Sequence, residues 1–139
     1  MTKTVLEQSY TGSRYTVKHC SGAIDTFTKA LKKLDSRKVD SFTRGMNMQI
    51  ERLANGHRLS NENFPIEGDL PKVLGKQSAK KFHALKRIPI RGYCWLSENH
   101  ASTYFISHYI YKDFNKLRAS DTQVVRDNWE RIEVNNEEF

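Results

Sequence analysis

Very little of this chain is given to residues that staple or interrupt a fold. Its two cysteines, Cys20 and Cys94, stand far apart and outside any C-x-x-C pair. That excludes a disulfide-dense scaffold and a cysteine zinc site, and it suits a reduced, cytoplasmic protein. No run of about 18 apolar residues occurs, so no membrane-spanning helix is expected. The opening "MTKTVLEQSYTGSR" lacks the apolar centre of a secretory signal. Also missing are an H-E-x-x-H pair, a carboxylate cluster and a Walker-type lysine loop, so neither a metal nor a cofactor is expected. Apolar residues reach only 37%, though 11% of the chain is aromatic. At 139 residues that suffices for one aromatic-rich core and a single domain, not for two.

Acids are missing from one long stretch. Between residues 72 and 91 stand Lys72, Lys76, Lys80, Lys81, Lys86, Arg87 and Arg91 without a single carboxylate. After Glu98 the acids outnumber the bases. A net charge of +7 and a pI near 9.5 point to a polyanionic partner. The acid-free stretch is where such a partner is expected to lie.

What is present reads as alternating β and α signals. Residues 1–13 read as a flexible or edge-forming leader, and "RYTVKHC" (14–20) as a strand. Ser21 is placed to cap a helix reaching Lys33 or Leu34, with Ala23, Ile24, Phe27, Ala30, Leu31 and Leu34 on one face. A second helix carries Val39, Phe42, Met46, Ile50 and Leu53 and stops at Gly56, suited to a left-handed cap. Residues 57–79, with Pro65, Gly68, Pro71 and Gly75, read as a long loop. Three strand-like runs follow, "KFHALKRIPI" (81–90), "RGYCWLSE" (91–98) and "STYFISHYIYK" (102–112), with a turn at "SENHAS". Ser120 and Gln123 form a capping-box pattern opening a last helix, on which Val125, Trp129 and Ile132 share a face. An acidic tail, 135–139, closes the chain. Helices followed by strands predict an α+β domain over 14–134: an N-terminal helical hairpin on an antiparallel sheet, a C-terminal helix, and the sheet's other face partly open.

The last strand carries the chemistry. Alternation divides it into one row of Tyr104, Ile106, His108, Ile110 and Lys112 and another of Phe105, Ser107, Tyr109 and Tyr111. The pattern does not settle which row covers the helices. A lone histidine is most often a hydrogen-bonded core residue, but His108 is followed closely by Tyr109, Tyr111 and Lys112. Neighbouring strands are about 4.8 Å apart, so these groups can converge with His83, Lys86, Arg87 and Arg91 on one phosphate. Cleaving RNA through its own 2′-hydroxyl requires a proton acceptor, a proton donor and positive charge around the phosphorane. Histidine or tyrosine can move the protons, Arg or Lys can hold the charge, and an aromatic ring can stack on a splayed base. Trp95 and Trp129 are assigned to the core.

The runs "RYTVKHC…AIDTFTKALKKL", "KFHALKR", "RGYCWL" and "YFISHYIYKDFNKL…VVRDNWERI" resemble the RelE/ParE superfamily of toxins, nearest in style to HigB-type members, over residues 14–133. The most specific piece is "HYIYKDFNKL", where Lys112 and Lys116 fall on lysines of the family's last strand and its exit. Asp113 stands where the family has a lysine, and Ile110 where it has an aromatic residue. The resemblance implies a strand–helix–helix–strands–helix RelE-like fold. It also implies the toxin of a type II toxin–antitoxin system: a metal-independent endoribonuclease that cuts mRNA in the ribosomal A site and is neutralised by a protein antitoxin. The partners implied are therefore mRNA, ribosomal RNA and that antitoxin. Candidate catalytic residues are His108 for proton transfer, Arg91, Arg87 and Lys112 for the phosphate, and Tyr109. Candidate RNA contacts are Lys80, Lys81, Lys86, Tyr111 and Lys116. The family's central-strand arginine has two counterparts here, Arg87 and Arg91. Two other readings compete: a ParE-like inhibitor of DNA gyrase, and an RNA-binding member without catalysis.

Overall fold

The computed structural model describes residues 5–71, 80–112 and 118–137. Its elements run β1 (Ser9–Thr11), β2 (Thr16–His19), α1 (Ala23–Leu31), α2 (Val39–Ala54), β3 (Ile66–Asp69), β4 (Lys81–Arg87), β5 (Ile90–Leu96), β6 (Thr103–Tyr111) and α3 (Ala119–Trp129). The architecture is α+β. One 6-stranded sheet has the order β1-β2-β6-β5-β4-β3. It is mixed rather than antiparallel, because β2 pairs parallel to β6. Parallel partners need a long crossover, and α1 and α2 lie within it.

Helix boundaries follow local chemistry. Gly22, at φ 82, caps α1 where Ser21 was expected to, since the turn needs a left-handed residue. Before α2, Asp35 accepts a hydrogen bond from the Arg37 backbone N–H and starts a short 3₁₀ turn, Ser36–Lys38. Gly56, at φ 76, follows the end of α2 as its position predicted. The expected Ser120–Gln123 capping box does not form: Ser120 lies inside α3, which begins at Ala119 with no side-chain cap. A π-helical turn, Glu130–Val134, extends α3.

One strand escaped the sequence reading: β3 lies inside the region taken for a loop. β1 lies in the leader read as flexible or edge-forming and is an edge strand, with Tyr10 buried. Its hydroxyl donates to Asn47 Oδ1 on α2 and accepts from the Glu7 N–H at 2.9 Å. β4 stops at Arg87, before Pro89, and a turn at Ile88–Pro89 leads into β5.

Both sheet faces are covered. On one, Phe27 and Ala30 of α1 and Met46, Ile50, Leu53 and Ala54 of α2 pack with Val17, Leu85, Ile90, Cys94, Ile106 and Tyr109. On the other, which was expected to stay partly open, Val125, Trp129 and Ile132 pack with Phe82, Tyr93, Trp95 and Phe105. Each such large apolar side chain contributes roughly 1.5–3 kcal/mol on burial. The buried Glu133 carboxylate pins the end of this helix by accepting from Trp95 Nε1 (3.0 Å), Ser97 Oγ (2.9 Å) and the Glu98 and Asn99 N–H groups. Among the described residues no helix is long and apolar enough to cross a membrane. Cys20 and Cys94 are free and buried.

Candidate functional site

A β-bulge decides which residues of β6 meet. The β5–β6 register pairs Tyr93 with His108 but Cys94 with Ile106, so Ser107 is the extra residue. Alternation is reset there. Tyr104 and Ile106 share the α1/α2 face with Tyr109 and Tyr111, whereas Phe105 shares the α3 face with Ile110. Neither row read from the sequence survives the bulge. Its effect is to place His108 on the same face as Arg91, whose strand partner is Ile110.

Seven side chains gather there. Arg91 Nη1 lies 3.7 Å from Glu67 Oε1 of β3, and Lys86 Nζ lies 3.9 Å from the same oxygen. His108 Nε2 is 3.2 Å from Asp121 Oδ1 on α3, and Arg118 Nε donates to Asp121 Oδ2 at 3.2 Å. Lys112 joins both groups: burial, then the charge of Arg91, lowers its hold on its proton, while Glu67 and Asp121 oppose this. Among the described residues, four cations thus stand beside the carboxylates of Glu67 and Asp121. Arg91 is 1% exposed and His108 7%. Arg118, its side chain 51% exposed, carries the cluster to the surface.

The hydrogen bonds around His108 form a directed chain. The Asp121 carboxylate can only accept, so Nε2 carries the proton and Nδ1 accepts from the Ser107 hydroxyl at 2.9 Å. Ser107 Oγ in turn accepts from Asn128 Nδ2 at 2.9 Å. Burial lowers the His108 pKa below the ordinary imidazole value, with Asp121 opposing, so the ring is neutral near pH 7. Ser107, His108 and Asp121 have the composition of a nucleophile relay, but the Ser107 oxygen is engaged on both sides, by His108 Nδ1 and Asn128 Nδ2.

Tyr93 belongs to the cluster and was missed by sequence. Its ring lies 5.2 Å from that of His108, and its buried hydroxyl has no hydrogen-bond partner among the described residues. Burial raises its pKa, helped by Asp121 and Glu67. Glu67, Arg118 and Asp121 were also missed. Only β3 pairing brings in the first, and only α3 docking the other two.

Other expected site residues lie elsewhere. Tyr109 is buried on the α1/α2 face, packed on Phe27, with its hydroxyl donating to His19 Nε2 at 2.7 Å while His19 Nδ1 donates to the Glu7 carbonyl at 2.7 Å. It cannot face the phosphate that Arg91 and His108 would share. Arg87 is corrected likewise: its guanidinium lies over the Phe42 ring at 5.5 Å, against Gly45 of α2. Of the two arginines, Arg91 alone joins the cluster. Tyr111 sits on the α1/α2 face under Lys33, whose Nζ is 5.7 Å from the ring centre. His83 stacks on Phe64, centroids 4.4 Å apart. Lys80 pairs with Glu98 at 3.0 Å, and Lys81 pairs with Asp69. Both lie at the far end of β4 from Arg87. Lys72, Lys76, Asp113 and Lys116 lie outside the described residues.

No family model matches the chain, and no curated protein or solved structure matches it. The likeness to RelE/ParE toxins rests on the quoted residues.

Proposed function

We propose that the α3-face cluster binds a phosphodiester and that the protein is a RelE-like toxin, an endoribonuclease cleaving mRNA at the ribosome. One observation carries the reading: a single bulge brings Arg91, Lys86, Lys112 and His108 to one face. The element order after β1, β-α-α-β-β-β-β-α, fits the strand–helix–helix–strands–helix order that the family resemblance implies. In this reading Glu67 and Asp121 stand where phosphate oxygens bind, and RNA exchanges with Asp121 at the first turn of α3. That exchange frees His108 Nε2 from its carboxylate. The neutral ring then takes the tautomer with its proton on Nδ1, which donates to Ser107 Oγ, and the bared Nε2 accepts the 2′-hydroxyl proton as the 2′-oxygen bonds to phosphorus and the bond to the 5′-oxygen breaks. Lys112, its proton loosened by burial and by Arg91, protonates the departing 5′-oxygen. Arg91 and Lys86 hold the phosphorane's charge, and the Tyr93 hydroxyl donates to it. The products are a 2′,3′-cyclic phosphate and a 5′-hydroxyl. A cognate antitoxin would neutralise the activity in the cytoplasm.

A translation extract supplied with the protein tests this, with message ends mapped while the message is being translated. Cuts within codons, lost in Arg91→Ala and His108→Ala, are expected. Intact messages, or equal cutting by all three proteins, would contradict it. Inhibition of gyrase supercoiling with RNA uncut would favour the ParE-like alternative instead.

A further inference from the structure

A second anion-binding feature lies beside the cluster, on the side from which β2 has withdrawn. β2 ends at His19, opposite Ile106, so the rest of β6 has no strand neighbour there. Thr26 Oγ1 of α1 takes the place of a strand partner by accepting from the Tyr109 N–H at 2.8 Å. Between α1 and this bare end of β6 runs a groove of about 220 Å³, lined by Thr26, Lys29, Lys33, Tyr109, Tyr111 and Arg118, among others. Its lining holds three cations and no carboxylate. Two other grooves carry carboxylates, Glu62 in one case and Glu7 with Glu51 in the other.

Lys29 stands in the last turn of α1 and Lys33 in the turn that follows it, its N–H bonded to the Ala30 carbonyl, and both line the groove. Neither has an acidic partner within ion-pair distance among the described residues. The Tyr111 ring steadies Lys33 through a cation–π contact. Arg118 lines the groove and also donates to Asp121, so the groove and the cluster meet at one guanidinium.

We infer that this groove binds a phosphodiester of single-stranded RNA next to the one held by Arg91, so that the strand passes over Arg118 from the α3 face to α1. The inference rests on the α3-face cluster being a nucleic-acid site. The volume equals that of roughly seven waters at ~30 Å³ each, which admits a phosphate and part of its ribose and excludes a duplex.

The test is fluorescence anisotropy with a single-stranded 2′-O-methyl oligonucleotide, which cannot be cleaved through its 2′-oxygen, over a range of salt concentrations. Wild type is compared with Lys29→Ala/Lys33→Ala, whose fold is checked by its thermal unfolding. The double variant should bind more weakly, with a log K against log salt slope shallower by about 1.4, two lost phosphate contacts at ~0.7 each. An unchanged slope in a double variant made from a wild type that cuts RNA overturns the groove and leaves the ribonuclease reading standing. A lysine-dependent slope in a wild type that cuts nothing supports the groove and overturns the ribonuclease. A polyglutamate peptide binding in the lysine-dependent way, with no oligonucleotide binding, overturns the groove as an RNA site.

Discussion

The two faces of the sheet are built from the same strands and bury polar groups in opposite ways. On the α1/α2 face two buried polar side chains are neutral and satisfied: His19 lies between Glu7 and Tyr109, and Asn47 between Tyr10 and the Val5 carbonyl. On the α3 face the half nearer the end of α3 is an aromatic core, while the half nearer its start holds buried cations beside carboxylates. A buried polar chain that is complete stabilises one structure. Buried ionisable groups gathered at one place cost stability, and they are expected where their charge serves a ligand. The α1/α2 face therefore reads as scaffold and the α3 face as site.

Substitutions should separate the two. The largest effect is expected at Arg91. Arg91→Ala should slow RNA cleavage by roughly 10²–10³-fold, the usual cost of removing a charge-stabilising donor. Arg91→Lys keeps a positive charge beside Glu67 but loses the forked geometry, and it should remain folded with reduced activity. Cleavage rates beside circular dichroism decide this.

Acid should weaken the fold chiefly through the scaffold face. Burial lowers the His19 pKa from 6.5 to about 4. As pH falls below 6.5 the unfolded chain takes up the proton first. The stability is complete above 6.5 and erodes toward pH 4, by roughly 3 kcal/mol at ~1.4 per unit. His108, shifted the same way, adds to the loss. Urea unfolding at pH 7.5 and 4.5 measures it, and His19→Gln should flatten the dependence.

Tyr109→Phe sharpens the contrast further. It strands His19 Nε2 and should cost about 2 kcal/mol of stability while leaving RNA cleavage unchanged. The same double readout, thermal unfolding and cleavage, serves here. Lys81→Ala is the smallest change. It breaks an exposed pair with Asp69 and should move stability by less than about 0.5 kcal/mol.

Much of the fold could be read from the sequence because its helices are strongly amphipathic and end in the expected way, as at Gly56. β3 could not, since four residues at the edge of a Pro- and Gly-containing stretch carry no alternation. The site was legible in part. Arg91, His108, Lys112 and Lys86 were singled out by type and proximity, and they do converge. Tyr109 was chosen on the same grounds and falls on the other face, because one bulge at Ser107 reverses the alternation after it and no residue type announces a bulge; Arg87 falls there because β4 pairs it with Ile90 of that face. Gly92, beside Arg91, makes room for the Tyr109 ring, which an added Cβ would meet at 2.6 Å. Asp121 and Arg118 depend on how α3 docks, which its apolar periodicity does not fix.

The division of labour between the faces can be tested by nuclear magnetic resonance of ¹⁵N-histidine-labelled protein titrated with a 2′-O-methyl oligonucleotide. Displacement of Asp121 by a phosphate should shift the His108 ring nitrogens at saturation and leave those of His19 where they were. Shifts at His19 with none at His108, or none at either while RNA is bound, would contradict a phosphodiester site on the α3 face.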